Sequence, residues 1–218
     1  MKIAAIFGMA VTAWAGVPEH RVTVCMKTLN HAVSSAQSQA SKMFAAVGVT
    51  LEWHDWKKCG VDFLVVELSS DTPEGLFAGA LGHADYEHGE IVVFYDRVAR
   101  RLPGKEPVLL AHVLVHEITH VLIGVSHHSE TGLMKAHWEA EDISAMRFRP
   151  LPFAPGDIEL LHRGLGAGHP TLRSPAVAVL PSRQPTLPVL VPLLHRGLQP
   201  HLYQTQHIPI DDSLGDTL

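Results

Sequence analysis

Residues 107–135 read PVLLAHVLVHEITHVLIGVSHHSETGLMK, and the core of this stretch, His116-Glu117-Ile118-Thr119-His120, governs how the rest is read. Pro107 suits the first turn of a helix, where a missing N–H costs nothing. Apolar residues run on to Ile123, and Gly124 is a stop of the usual C′ kind. The pattern predicts a helix over 107–123. On it, His116 and His120 are one turn apart on one face. That spacing lets both imidazoles reach one ion at about 2.0–2.1 Å, the zinc–histidine distance. Glu117 stands beside them, off the metal. It is placed to take a proton from metal-activated water and to return it to a leaving amine. The neighbours Val113, Leu114, Val115, Ile118, Val121 and Leu122 are apolar. Two histidines and a glutamate among them are costly unless something satisfies them. A solvated polar stripe is the plainer alternative, and His112, one turn earlier, would extend it.

A catalytic zinc takes three protein ligands and keeps one open position. Two kinds of residue could supply the third. His127 and His128 follow Gly124, whose left-handed conformation can turn the chain back toward the ion. Glu139 follows His120 with eighteen residues between them.

The segment resembles the zinc-binding stretch of the metzincin metallopeptidases, H-E-x-x-H-x-x-G-x-x-H. Ser129 follows His128 as serine often follows the third ligand in that family, and Gly132-Leu133-Met134 is similar to its Met-turn. Two positions depart from the pattern. Ile123 stands where the family has glycine, with Gly124 one place later, and Ser126 stands where the third histidine would fall. The Gly-x-x-His spacing favours His127, the His-Ser pair favours His128, and His128 is preferred. The resemblance implies an α+β, zincin-like fold: a mixed twisted sheet, an active-site helix and a small C-terminal helical part. It implies zinc held by His116, His120 and His128, with Glu117 catalytic. The eighteen-residue gap to Glu139 resembles the gluzincin class, but the surroundings, His137-Trp138-Glu139-Ala140-Glu141, lack that class's acidic pattern and read as a solvated face.

Upstream, Arg21–Lys27 alternates and is β-branched, so it reads as a strand. A helix from Asn30 or Ser34 to Val47 follows, with Ala36, Ala40, Met43 and Phe44 at helical spacing. Val49–Trp53, Val61–Leu68 and Ile91–Tyr95 read as strands, the second apolar enough to be central. Gly79–Gly89, rich in glycine and histidine, reads as loop, and His83, His88 and Asp85 within it read as surface residues rather than an ion site. Downstream, Ala136–Arg147 reads as an amphipathic helix and Asp157–Leu165 as a short terminal one.

The chain has 218 residues, 46% hydrophobic and 18% charged, which supplies a full core and excludes wholesale disorder. A net charge of −5 lacks the basic footprint of a nucleic-acid binder. Of sixteen histidines, six fall between His112 and His137. Lys2 precedes an apolar stretch that ends in Ala13-Trp14-Ala15, an A-x-A site with cleavage expected after Ala15. Residues 1–15 are therefore read as a signal peptide, 16–165 as the metallopeptidase domain and 166–218 as a flexible tail. Eight of the fifteen prolines lie in that tail, at a density that blocks helix and sheet ladders. Export to a secreted or periplasmic location would favour a Cys25–Cys59 bridge. No apolar run reaches the roughly 18 residues that a membrane span needs.

The function expected is a zinc-dependent endopeptidase acting on a protein or peptide substrate. The alternatives are a gluzincin-like peptidase using Glu139 and a secreted zinc-holding protein without catalysis.

Overall fold

A computed structural model describes residues 20–27, 31–72, 75, 77–167 and 206–207. The expected signal peptide and nearly all of the expected tail lie outside the described residues. Six strands form one sheet in the order β2-β1-β3-β5-β4-β6. They are β1 (His20–Met26), β2 (Val49–Asp55), β3 (Phe63–Ser69), β4 (Gly82–Asp85), β5 (Glu90–Phe94) and β6 (Gln206–His207). β1, β2, β3 and β5 run parallel, whereas β4 is antiparallel to both its neighbours. Five helices complete the fold: α1 (His31–Ala45), α2 (Tyr95–Arg101), α3 (Glu106–Ile123), α4 (Ala140–Met146) and α5 (Pro155–Gly166). This is the mixed α+β arrangement expected, with the long helix after the sheet and a small helical part at its end.

The core follows from two periodicities. α1 buries Val33, Ala36, Ala40, Met43 and Phe44, one stripe at helical spacing. On the sheet, Val22, Val24, Met26, Leu64, Val66 and Leu68 join the same cluster, while Cys25, Phe63 and Val65 point to the opposite face. α3 packs against α1 and beneath β4 and β5. It is buried from Leu109 to Leu122 without interruption. Among the described residues α3 alone is long and apolar enough to cross a membrane; most of it is enclosed by the rest of the fold, which accounts for that composition.

Cys25 and Cys59 form a disulfide, with Cα atoms 6.3 Å apart, that ties β1 to the loop before β3. Closing a loop of that separation, 34 residues, contributes on the order of 3–4 kcal/mol by restricting the unfolded chain.

Several boundaries differ from the sequence expectation. The 79–89 segment is not all loop, because Gly82–Asp85 forms β4 against β5. Gly-His-Ala-Asp has little strand propensity of its own; the register with Glu90–Val93 imposes it. Tyr95 opens α2 rather than closing β5. Asp96 steadies that helix, accepting from Thr72 Oγ1 at 2.6 Å and from Arg100 one turn on at 3.0 Å. The helix expected over 136–147 is confined to Ala140–Met146, because residues before it are held in a turn described below. Two residues of the expected tail, Gln206–His207, lie in the sheet as β6.

Candidate metal centre

α3 starts with Pro107 in its first turn and ends at Gly124, whose φ of 68° and ψ of 16° are left-handed. The Gly124 N–H caps the carbonyls of His120 and Val121 at 3.0 and 3.2 Å. This reversal returns the chain toward its own last two turns. The rings of His116, His120 and His128 then converge, with centroids 4.7, 4.9 and 5.4 Å apart. One nitrogen from each lies within 4.8 Å of the other two, the only such cluster among the described residues. Nε2 of His116 and Nε2 of His120 stand 3.0 Å apart. Ligand nitrogens on a tetrahedral zinc are about 3.3 Å apart at normal bond lengths.

The cluster's nitrogens are set up as lone pairs. His116 Nδ1–H donates to the Leu133 carbonyl at 2.9 Å, which leaves its Nε2 free to bind. The same carbonyl accepts from the Trp138 indole N–H at 3.2 Å. Burial pushes the His116 ring down to about 3, with the nearby His128 adding to the effect. Burial likewise depresses His120, as do the His116 and His128 rings, and it depresses His128. All three are thus neutral imidazoles at neutral pH, the form that ligates. His128 Nε2 is buried with no hydrogen-bond partner. A buried nitrogen left over in this way fits an ion better than it fits a packed interior.

Glu117 is 0% exposed, and both its carboxylate oxygens are without a partner. Burial raises its pKa well above the usual carboxylate range. Its carboxyl leans on β4. A Cβ built at Gly82 would lie 2.7 Å from Oε1 and 2.9 Å from Cγ, so any side chain there would have to displace the Glu117 carboxyl. The polar stripe on α3 is not solvated: His112, His116, Glu117 and His120 are all buried.

The rival ligands are occupied elsewhere. His127 Nε2 donates to Asp157 Oδ1 at 3.1 Å. Ser129 Oγ donates to the same oxygen, and Asp157 Oδ2 accepts from the Ala154 N–H at 3.0 Å. Asp157, buried on α5, therefore clamps the residues on both sides of His128. Glu139 is exposed at the start of α4, within 3.4 Å of Lys135, and takes no part in the cluster. Met134 is fully buried in the turn 132–135, which is tied down by Ser129 N–H to Met134 O at 2.8 Å and Leu133 N–H to Pro152 O at 2.8 Å. His83 stacks on Phe77, and His88 pairs with Asp85 at 2.8 Å; neither belongs to the one metal-ligating cluster found among the described residues.

The sequence places Asp157 only at the start of a terminal helix and Gly82 only in a loop, with no part in the site for either. Asp157 does sit third in a helix that begins with proline, a capping position, but its bond to His127 spans 30 residues. Gly82 lies in the stretch read as loop, and nothing local tells that a carboxylate will press on it.

No protein-family model and no curated protein matches the chain. Among solved structures it is similar to the crystal structure of archaemetzincin from Methanopyrus kandleri, at 17% identity and a TM-score of 0.49, covering 70% of this chain and 99% of that one. It is also similar to archaemetzincin from Archaeoglobus fulgidus complexed with malonate, at 15% identity and a TM-score of 0.43, covering 64% and 99%.

Proposed function

We propose that the chain is a zinc-dependent endopeptidase in which His116, His120 and His128 hold the metal and Glu117 is the general base and acid. The convergence of three neutral imidazoles beside a buried, unpartnered carboxyl carries this reading. Four positions around a zinc, three of them filled by histidine, leave one for water and substrate. When bound, zinc supplies a Lewis acid for the scissile carbonyl and brings the pKa of water toward neutrality.

The chain's own groups do the rest. Glu117 stands beside the histidines where its carboxylate can take a proton from water and give it to the leaving amine. Gly82 leaves room for the carboxyl by offering no side chain. The Leu133 carbonyl fixes the His116 ring and its tautomer. Asp157 holds the loop that carries His128. A structural site would need only the histidines; the carboxyl held ready beside them supports catalysis over mere metal storage. Export belongs to the same reading, supported by Ala13-Trp14-Ala15 and by a disulfide of the kind found in oxidising compartments.

The test is zinc content together with turnover of a fluorogenic peptide library. One zinc per chain is expected. Glu117→Gln should keep that zinc and lose about 10²- to 10⁴-fold in kcat. Absent stoichiometric zinc, or full activity in Glu117→Gln, would overturn the proposal.

A further inference from the structure

Arg101 is the last residue of α2, and Arg147 directly follows α4. The fold brings both to one cleft of about 300 Å³, which Leu102, Ala140, Ile143 and Ser144 also line. The cleft lies well away from the histidine cluster. The Lys105 N–H bonds the Leu102 carbonyl at 3.1 Å, which sets Leu102 at the start of α3. From Glu106 to His116 that helix rises by about 15 Å.

The two guanidiniums differ from those nearby. Arg100 pairs with Asp96 at 3.0 Å, and Arg97 donates to the Phe77 and Ala80 carbonyls at 2.6 and 2.8 Å. Neither Arg101 nor Arg147 takes part in an ion pair among the described residues. Nη2 of Arg101 is buried with no hydrogen-bond partner. Both arginines stand at helix C-termini, where the dipole favours a cation. The dipole accounts for a positive charge there but satisfies no N–H. A bare guanidinium nitrogen in the interior is costly, and an anion is the partner that removes the cost.

We infer that this cleft binds a small molecule through a phosphate monoester. Such a group carries about two negative charges and three acceptor oxygens, enough to face two planar guanidinium forks at once. A lone carboxylate brings one charge and fills one fork. Ser144, exposed beside the arginines, adds a hydroxyl donor. Leu102, Ala140 and Ile143 make an apolar wall that an organic group attached to the phosphate would cover. The volume of about 300 Å³ is at the small end for ligand sites and suits a single ring or a short chain. The inference stands apart from the peptidase reading, because no residue of the cleft belongs to the histidine cluster.

The test adds phenyl phosphate to the full chain and follows binding by isothermal titration calorimetry. Saturable binding of one molecule per chain is expected. Arg147→Gln removes one fork from an exposed position, and Arg101→Gln removes the other. Each should weaken binding by about ten- to a hundredfold, the worth of one charge-assisted bidentate contact. Urea midpoints check that the variants fold; should Arg101→Gln not fold, the exposed Arg147→Gln alone decides. Arg163→Gln, which removes an exposed arginine of α5, should bind as the parent does. Inorganic phosphate, which has no ring to lay on the apolar wall, should bind more weakly than phenyl phosphate. Absence of saturable binding, unchanged affinity in Arg147→Gln, or an equal loss in Arg163→Gln overturns the site. Succinate binding as tightly as phenyl phosphate overturns the phosphate as the group recognised. Binding to phosphatidylcholine vesicles that carry phosphatidic acid, with free phenyl phosphate left unbound, overturns the small molecule in favour of a lipid headgroup.

Discussion

His112 and His116 lie one turn apart on the same buried helix, yet their partners differ. His112 has a partner at each nitrogen: Nδ1–H donates to the Val108 carbonyl at 2.8 Å, and Nε2 accepts the Leu151 N–H at 3.1 Å. His116 spends one nitrogen on Leu133 and turns the other to His120 and His128. The contrast recurs in the next loop, where His127 is held by Asp157 while the adjacent His128 keeps a buried nitrogen without a partner. Burial alone therefore does not mark a functional histidine. The completed ones fasten segments together: His112 pins the 150–152 loop to α3, and His127 helps pin its own loop to α5. The incomplete ones define the site.

His128→Ala should weaken zinc retention by more than about 100-fold, beyond the 10- to 100-fold typical of supporting residues, whereas His127→Ala should stay within that range. Dialysis against a graded zinc chelator measures both. Equal losses would show that His128 is no more a ligand than His127.

His112→Leu should act in the opposite way. Its volume is kept and its two hydrogen bonds are lost, so unfolding in urea should show a cost of about 1–3 kcal/mol while zinc stoichiometry stays at one. A variant that folds normally but loses zinc would assign His112 to the site. Gly82→Ala tests the carboxyl instead of the rings. The new methyl should push Glu117 aside and lower kcat roughly tenfold, with zinc binding unchanged. Equal activity would show that the contact gives way freely.

The smallest effect concerns pH. Burial depresses the His112 pKa below its ordinary 6.5. The unfolded chain then binds a proton that the folded chain refuses. Stability is complete above about 6.5 and is lost as pH falls from there toward the depressed value, by up to about 1.4 kcal/mol per pH unit. Metal-free parent protein should therefore lose stability more steeply below pH 6.5 than metal-free His112→Leu, whose position cannot titrate. Parallel curves would deny His112 its buried neutral state.

What could be read beforehand was what is written locally. Pro107 and Gly124 bracket α3, the spacing of four places His116 and His120 together, and the 33–44 periodicity marks α1. Each depends on residues within a few turns of one another. β4 could not be read that way, because Gly82–Asp85 owes its extended form to β5 and its glycine to Glu117. The expected 136–147 helix failed for a similar reason. Leu133 O is taken by the His116 ring on α3 and the Trp138 indole, and Met134 O by the Ser129 N–H, so the chain turns until Glu139, whose N–H is met by Asp142 at 3.0 Å. That His128 and not His127 joins the cluster depends on Asp157, thirty residues away from His127.

The doubly used carbonyl of Leu133 has an optical consequence. It binds the Trp138 indole and the His116 ring at once, and their centroids are 5.5 Å apart at nearly a right angle. Trp138 is buried, whereas Trp56 is exposed and Trp53 bonds to Ser41 on α1. An ion or a proton taken up by His116 would therefore alter the electric field at Trp138, and the emission of that indole would report whether the site is filled.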